Sequence, residues 1–372
     1  MRRFIWALIV GWVATTSANA CSVPVFRFAL ERWQASPYEV LLFYRESLTA
    51  EEKGLLKKLE SQSKEANVRF QKIDLAEPID PKAKKIWEKD GQENQGAFVV
   101  LRYPDSTEKV SSLWAGTLKE ATLQHLFDSP ARSLLFDYLA TGHTAVIVMV
   151  KGKVSADDEA TRKMLLLEGS KLADNIELPT PTADGPQILS SIPLRKSFPI
   201  VEVERIPEEA IFLKQLLGSE EGLEKVEGPL VFPVFGRGRA LCCLSGKDLQ
   251  KPTELQHALE YLCKACSCQV KELNPGIDLL LDGNWEAMLD AEVGPSPRLL
   301  KDEDAKRLET KPLGKHLVAA AANRSLPPAD LDVVEVIPGE KPASSPWKWP
   351  VMGGVIVLVV YCIFRFNKRS AS

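Results

Sequence analysis

Short apolar runs that alternate with helical patterns constrain the fold of this 372-residue chain more than any other feature. The run from Tyr38 to Tyr44 is apolar, short and typical of a buried strand. Thr49 and Glu52 then form a capping-box pattern, which predicts a helix start, and Asp80-Pro81 predicts another. In this part of the chain we predict strands at 38–44, 68–75, 97–103 and 109–115, and helices at 49–65, from 81 and at 117–127.

The same order of elements is predicted a second time. Its first strand is the apolar run from Thr144 to Val150, and a turn at Gly236-Arg237-Gly238 joins the two strands of a hairpin. Strands at 144–150, 199–205, 229–235 and 239–244 alternate with helices at 157–174, 207–217 and 253–266. Each half has the order βαβαββα, and its strand–helix–strand start favours parallel pairing with a right-handed crossover. The predicted fold class is α/β.

This succession resembles the thioredoxin fold, in a degenerate form. The resemblance is carried by Ile73-Asp74-Leu75, Asp80-Pro81, the run from Gly96 to Leu101, and Trp114-Ala115-Gly116 before Thr117. It covers Pro37 to Asp128 and, more weakly, Thr144 to Cys268. It implies two tandem thioredoxin-like units, with domain 1 at 37–129 and domain 2 at 143–290. The whole chain also resembles uncharacterised bacterial membrane-anchored proteins of this layout.

The departures from thioredoxin decide the expected function. A thioredoxin acts through a thiolate in a Cys-x-x-Cys motif at the start of its first helix, where the helix terminus lowers the thiol pKa. The matching segments here, Arg45 to Ala50 and Lys151 to Ser155, contain no cysteine. The family's cis-proline would fall at Ala97 and is absent there, while Pro229 is the candidate in the second unit. The resemblance implies redox-inactive modules that bind proteins or peptides along an exposed strand, with no catalytic residue and no cofactor.

A late cysteine cluster leaves an alternative open. Its members are Cys242, Cys243, Cys263, Cys266 and Cys268. The first interpretation is a structural disulfide between the hairpin and the helix end. The second is a redox pair, although a helix C-terminus disfavours a thiolate. The third is a thiolate metal site at Cys263, Cys266 and Cys268, although no suitably spaced histidine completes the ligand set. The alternative function is a thiol-disulfide oxidoreductase or a metal carrier.

The two ends of the chain predict export and anchoring. Arg2-Arg3, an apolar run and Ala18-Asn19-Ala20 predict a signal peptide at 1–20, and whether Cys21 is lipidated stays open. The apolar segment 349–365 predicts a single transmembrane helix, and the basic residues behind it favour a cytoplasmic tail at 366–372. The stretch 295–346 predicts a flexible linker, or stalk. We expect a single-pass protein of the cell inner membrane with a periplasmic N-terminal part; a eukaryotic secretory membrane is the alternative.

Composition narrows the partners. The formal net charge of −3, with both signs interspersed, is not the clustered basic surface of a nucleic-acid-binding protein. Four histidines in the whole chain disfavour a histidine-based metal or proton-transfer site. Arg237 and Arg239 at the hairpin turn are expected to be solvated rather than to hold an anion. The expected partners are the membrane and a protein in the membrane or the periplasm.

Overall fold

The computed structural model describes residues 22–45, 47–104, 112–183, 185–266 and 269–289, all within one compact unit. The helices are α1 Val25–Arg32, α2 Ala50–Gln62, α3 Pro81–Asp90, α4 Leu118–Ala121, α5 Pro130–Ala140, α6 Ser155–Asn175, α7 Ala210–Leu217, α8 Pro252–Cys263 and α9 Trp285–Leu289. The strands are β1 Tyr38–Tyr44, β2 Val68–Asp74, β3 Phe98–Arg102, β4 Ser112–Thr117, β5 Val146–Val150, β6 Ile200–Val203, β7 Leu230–Phe235, β8 Arg239–Ala240, β9 Leu244–Ser245 and β10 Ile277–Asp278.

The first sheet has the strand order β2-β1-β3-β4. β1 and β2 are parallel, with Tyr38 opposite Val68, whereas β3 is antiparallel to both β1 and β4. One face packs on α2 and α4 around Leu56 and Leu59. The other face packs on α3 around Ile86 and Trp87. Helices thus cover both faces, which is why β1 and β3 are apolar except for Glu39 and Arg102, which pair with each other at 2.8 Å.

Local sequence signals fix the starts of α2 and α3, the two longer helices that pack on the first sheet. The Thr49 side chain accepts the Glu52 N–H, and the Glu52 side chain accepts the Thr49 N–H, so the predicted capping box is confirmed. The Asp80 side chain accepts the N–H groups of Lys82 and Ala83 in front of Pro81, so the predicted start of α3 is also confirmed.

The second sheet has six strands, in the order β10-β8-β7-β5-β6 with β9 also on β7. β5 pairs in parallel with β6 and antiparallel with β7. One face packs on α1, α6 and α8, and the other on α5, α7 and α9. Helices α1, α5 and α9 and strand β10 were not predicted from the sequence. α5 nevertheless carries a helical apolar period, because Ala131, Leu135 and Leu139 are four residues apart and buried.

The second strand of the predicted hairpin is interrupted. Val234 lies opposite Ala240 and Val231 lies opposite Leu244, so one extra residue is accommodated between these pairs. Pro233 has no N–H to donate at this point, and only its carbonyl bonds across, to the Leu241 N–H at 2.9 Å. The predicted strand 239–244 is consequently divided into β8 and β9.

The predicted architecture is wrong as a whole, although the α/β class is correct. Both sheets are mixed, and the second has six strands because β10 adds to β8. No helix in the described part of the chain is long and apolar enough to cross a membrane. The 21-residue helix α6 carries charged side chains along its length, and their desolvation in hydrocarbon is costly. The predicted signal peptide at 1–20, linker at 295–346, transmembrane helix at 349–365 and tail at 366–372 lie outside the described residues.

The helix predicted at 117–127 is also much shorter than expected. α4 ends at Ala121, and the guanidinium of the buried Arg132 donates to the backbone carbonyls of His125, Leu126 and Asp128. These carbonyls accept hydrogen bonds from one guanidinium group instead of from the N–H groups of a continuing helix. Hydrogen bonds from a side chain four to seven residues farther along the chain replace the predicted end of this helix.

Candidate functional site

The loop after β1 lies where the thioredoxin resemblance would place a thiolate. A carboxylate takes this position: Glu52 accepts the Thr49 N–H at 2.9 Å and the Ala97 N–H at 3.1 Å. These backbone hydrogen bonds hold the pKa of Glu52 below its usual range. Glu52 therefore links the start of α2 to the start of β3 as an ionised structural bridge. The Ala97 N–H is therefore already bonded to the Glu52 carboxylate.

The corresponding loop after β5 is closed by its own contacts. The Gly152 N–H donates to Asp158 Oδ1 at 2.7 Å, and the Lys153 N–H donates to the Glu227 carbonyl at 2.8 Å. A Cβ on Gly152 would lie 2.8 Å from the Glu227 oxygen, so only glycine fits this approach. The two backbone segments therefore lie in direct contact here.

Pro229 follows this contact and does not have the expected conformation. The part of the chain that the structure describes contains no cis peptide bond, so the prediction of a cis-proline at Pro229 is wrong. Pro229 leads directly into β7, and its neighbours Glu227 and Gly228 are held against Gly152. An extended trans connection satisfies this contact.

The cysteines of the late cluster lie on two different faces of the second sheet. Cys263 and Cys266 belong to the core that α1, α6 and α8 form, and the partly buried Cys242 packs against the same core. Cys243 belongs to the core on the opposite face. Cys268 lies outside the described residues. The alternation of neighbouring side chains separates Cys243 from Cys263 and Cys266, so a disulfide that joins them is incompatible with this geometry.

Cys263 is a poor nucleophile where it stands. Only 1% of it is exposed, and desolvation by burial, with a contribution from Glu260, raises its pKa to about 12. The thiol is therefore protonated at neutral pH, whereas thiol exchange requires a thiolate. The described residues hold no group of three metal-ligating side chains. The three-cysteine metal site includes Cys268 and stays a prediction.

The two arginines of the hairpin turn are buried, not solvated. Arg237 donates to the Leu30 carbonyl and contacts Glu286 at 2.6 Å. Arg239 contacts Asp278 at 3.0 Å, and Lys271 contacts the same carboxylate. Burial raises the pKa of Asp278, but the two cations outweigh burial and hold it below its usual range. Both guanidinium groups already have acidic partners, so the turn is a structural centre rather than an anion site.

The outer edge of β2 carries backbone groups that no hydrogen bond satisfies in the described part of the chain. The Tyr38 N–H bonds to the Asn67 carbonyl and the Leu75 N–H bonds to the Tyr44 carbonyl, both at 2.8 Å. In a parallel ladder of this register, the odd-numbered residues of β2 bond to β1. Phe70 and Lys72 therefore direct their N–H and C=O groups away from β1. No bond to these groups exists among residues 22–289 as far as the structure describes them.

The other sheet edges are less suitable for pairing. β4 lies beside α7 of the second half. β6 has four residues, and its Glu202 is bonded to Lys151 and Arg162. β10 has two residues. The sequence predicted β2 as a strand but contained no signal that placed it at the edge, because strand order depends on contacts between distant segments.

The fold and these contacts define the class: an α/β protein with two mixed sheets, in which the structural carboxylates of Glu52 and Asp158 hold the loops after β1 and β5. No family model, no curated protein and no solved structure matches the chain.

Proposed function

We propose that this chain is a protein-binding module that pairs an extended segment of its partner with the outer edge of β2. The observation that supports this proposal is that Phe70 and Lys72 direct their backbone N–H and C=O groups away from β1. Together these groups form a row of donors and acceptors. Addition of a strand to an open edge satisfies such a ladder. β2 has seven residues, which is long enough for a specific register.

A binding role agrees with the chemistry of the loops after β1 and β5. Glu52 and Asp158 tie down the loops after β1 and β5 by accepting backbone N–H groups. Neither loop contains a cysteine, and Cys263 is protonated in a core. A scaffold of this kind can recognise a partner without reacting with it.

The expected affinity from backbone pairing alone is weak. Phe70 and Lys72 each offer one donor and one acceptor, and a net gain of about 1 kcal/mol per bond amounts to roughly 4 kcal/mol. That corresponds to a dissociation constant on the order of 1 mM. Side-chain contacts next to β2 must provide the remaining affinity and the specificity.

The test separates the backbone of Lys72 from its side chain. Lys72→Pro removes the outward N–H, which an edge strand tolerates, whereas Lys72→Thr removes the same side chain but keeps the N–H. Peptides selected by display on the purified full chain would be titrated against both variants by fluorescence anisotropy. We expect Lys72→Pro to bind about fivefold more weakly than Lys72→Thr, since one hydrogen bond worth about 1 kcal/mol is lost.

Folding of both variants must be checked by circular dichroism and by urea unfolding. Lys72 contacts Glu60 at 3.0 Å, but both side chains are about half exposed and both variants lose this pair equally. Equal binding by two folded variants would refute pairing at β2. Failure to select any extended peptide would refute it as well.

A further inference from the structure

The edge of β2 is bordered by one side of α2. The Lys72–Glu60 contact at 3.0 Å places Glu60 of α2 next to the edge strand. Lys53 and Lys57 precede Glu60 by seven and three residues, so they lie on the same side of the helix. Both lysines are exposed, and the structure gives them no ion pair in its described residues. We refer to Lys53 and Lys57 as the α2 lysine pair.

The α2 lysine pair runs along the open edge. α2 connects the parallel strands β1 and β2, so it runs antiparallel to both. Counting back from Glu60, Lys57 and then Lys53 advance toward the end of β2 at about 1.5 Å per residue. β2 adds Arg69 and Lys72, both exposed. A strand that pairs with Phe70 and Lys72 would lie beside the α2 lysine pair. Lys72 is already paired with Glu60, and Arg69 projects to the opposite face of the sheet, where Ile73 packs.

Few carboxylates offset this charge. Glu60 is already bonded to Lys72, and Asp74 at the end of β2 accepts the Ala76 N–H at 2.9 Å. Lysine side chains at a sheet edge normally repel other strands. They become favourable contacts only when the incoming strand carries the opposite charge.

We propose that the segment that pairs with β2 is acidic, with aspartate or glutamate at alternate positions that face α2. This inference rests on the proposed strand pairing and adds the chemistry of the partner. An extended chain directs every second side chain to the same face, so alternate carboxylates reach the α2 lysine pair while the intervening side chains turn away. The charges select the partner and its register, and the backbone of Phe70 and Lys72 holds it.

Synthetic peptides of one length test this chemistry on the full chain. The probes alternate valine with glutamate, with glutamine or with lysine, and binding is measured by fluorescence anisotropy. We expect the glutamate peptide to bind about tenfold more tightly than the glutamine peptide, which is about 1.4 kcal/mol. The advantage should shrink as ionic strength rises from about 0.01 M to about 0.15 M, because the Debye length falls from about 30 Å to about 8 Å.

A matched pair of variants locates the effect. Lys53→Gln with Lys57→Gln removes the α2 lysine pair, while Lys84→Gln with Lys85→Gln removes two exposed lysines from α3. Only the α2 variant should abolish the preference for glutamate, and its affinity for the glutamine peptide should not change. If both variants lost the preference for the glutamate peptide equally, net charge alone would explain it, and the inference would be overturned.

The two proposals fail in different ways. If glutamate and glutamine peptides bind equally and Lys72→Pro weakens both, strand pairing stands and the acidic preference is refuted. If Lys72→Pro weakens neither peptide relative to Lys72→Thr, the proposed function is refuted, whatever the charge preference.

Discussion

Acidification should unfold this protein partly through one histidine, His143. Its Nδ1 lies 2.7 Å from Ser197 Oγ, and its ring packs edge-on against Tyr138 with the ring centroids 5.3 Å apart. Burial, assisted by the nearby Arg195, lowers the pKa of His143 to about 4, from an ordinary value of 6.5. The folded protein therefore holds the neutral imidazole.

The sign of the pH effect follows from this lowered pKa. Above about pH 6.5, His143 is neutral in the folded and the unfolded chain, so it imposes no penalty. As the pH falls from about 6.5 toward 4, the unfolded chain binds a proton that the folded chain rejects, and stability is lost. A difference of about 2.5 pKa units corresponds to about 3 kcal/mol at pH 4, and to roughly 2 kcal/mol at pH 5.

Urea unfolding at a series of pH values between about 7 and 4 measures this loss. His143→Gln removes the titration and retains a group that can bond to Ser197, so its stability should fall less steeply over the same range. His257→Gln is the control, because His257 is exposed on α8. Parallel pH profiles for the wild type and His143→Gln would refute the reasoning.

Three further predictions concern buried groups. Arg132→Met should lower the free energy of unfolding by about 3–5 kcal/mol, because it leaves buried carbonyls unpaired; the exposed Arg162→Met should have almost no effect in the same urea assay. Gly238→Ala should destabilise by roughly 1–3 kcal/mol, because its φ is +85° and a Cβ would lie 2.4 Å from Leu281 Cδ1; a melting temperature equal to that of the wild type would contradict this. Cys263 should resist iodoacetamide at neutral pH until urea unfolds the chain, as followed by peptide mass spectrometry, and rapid labelling of the native protein would disprove its burial.

The positions of the elements were largely predictable because their signals are local. The apolar run at β1, the capping box at Thr49 and the Asp80-Pro81 start all depend on residues a few positions apart. The missing sulfur after β1 and β5 was equally plain. The absence of cysteine at these positions favours binding over thiol exchange as the function.

The candidate site could not be located in the same way. β2 and β6 are both short strands after a helix, and nothing in their residues says which will present an open edge of useful length. The sequence also predicted solvated arginines at 237 and 239, whereas Asp278 and Glu286, distant in sequence, surround them with acidic partners. Cys242 and Cys243 are adjacent in sequence but belong to opposite cores.

The sequence alone determined where most strands and helices begin, that the class is α/β, and that no thiol follows β1 or β5, because each is a matter of near neighbours in the chain. Only the tertiary structure decided that the outer edge of β2 is unpaired within the described residues, that Lys53 and Lys57 border it, and that Cys263 is buried and protonated. These properties arise from contacts between segments far apart in sequence, whose pairing depends on the packing of the whole unit.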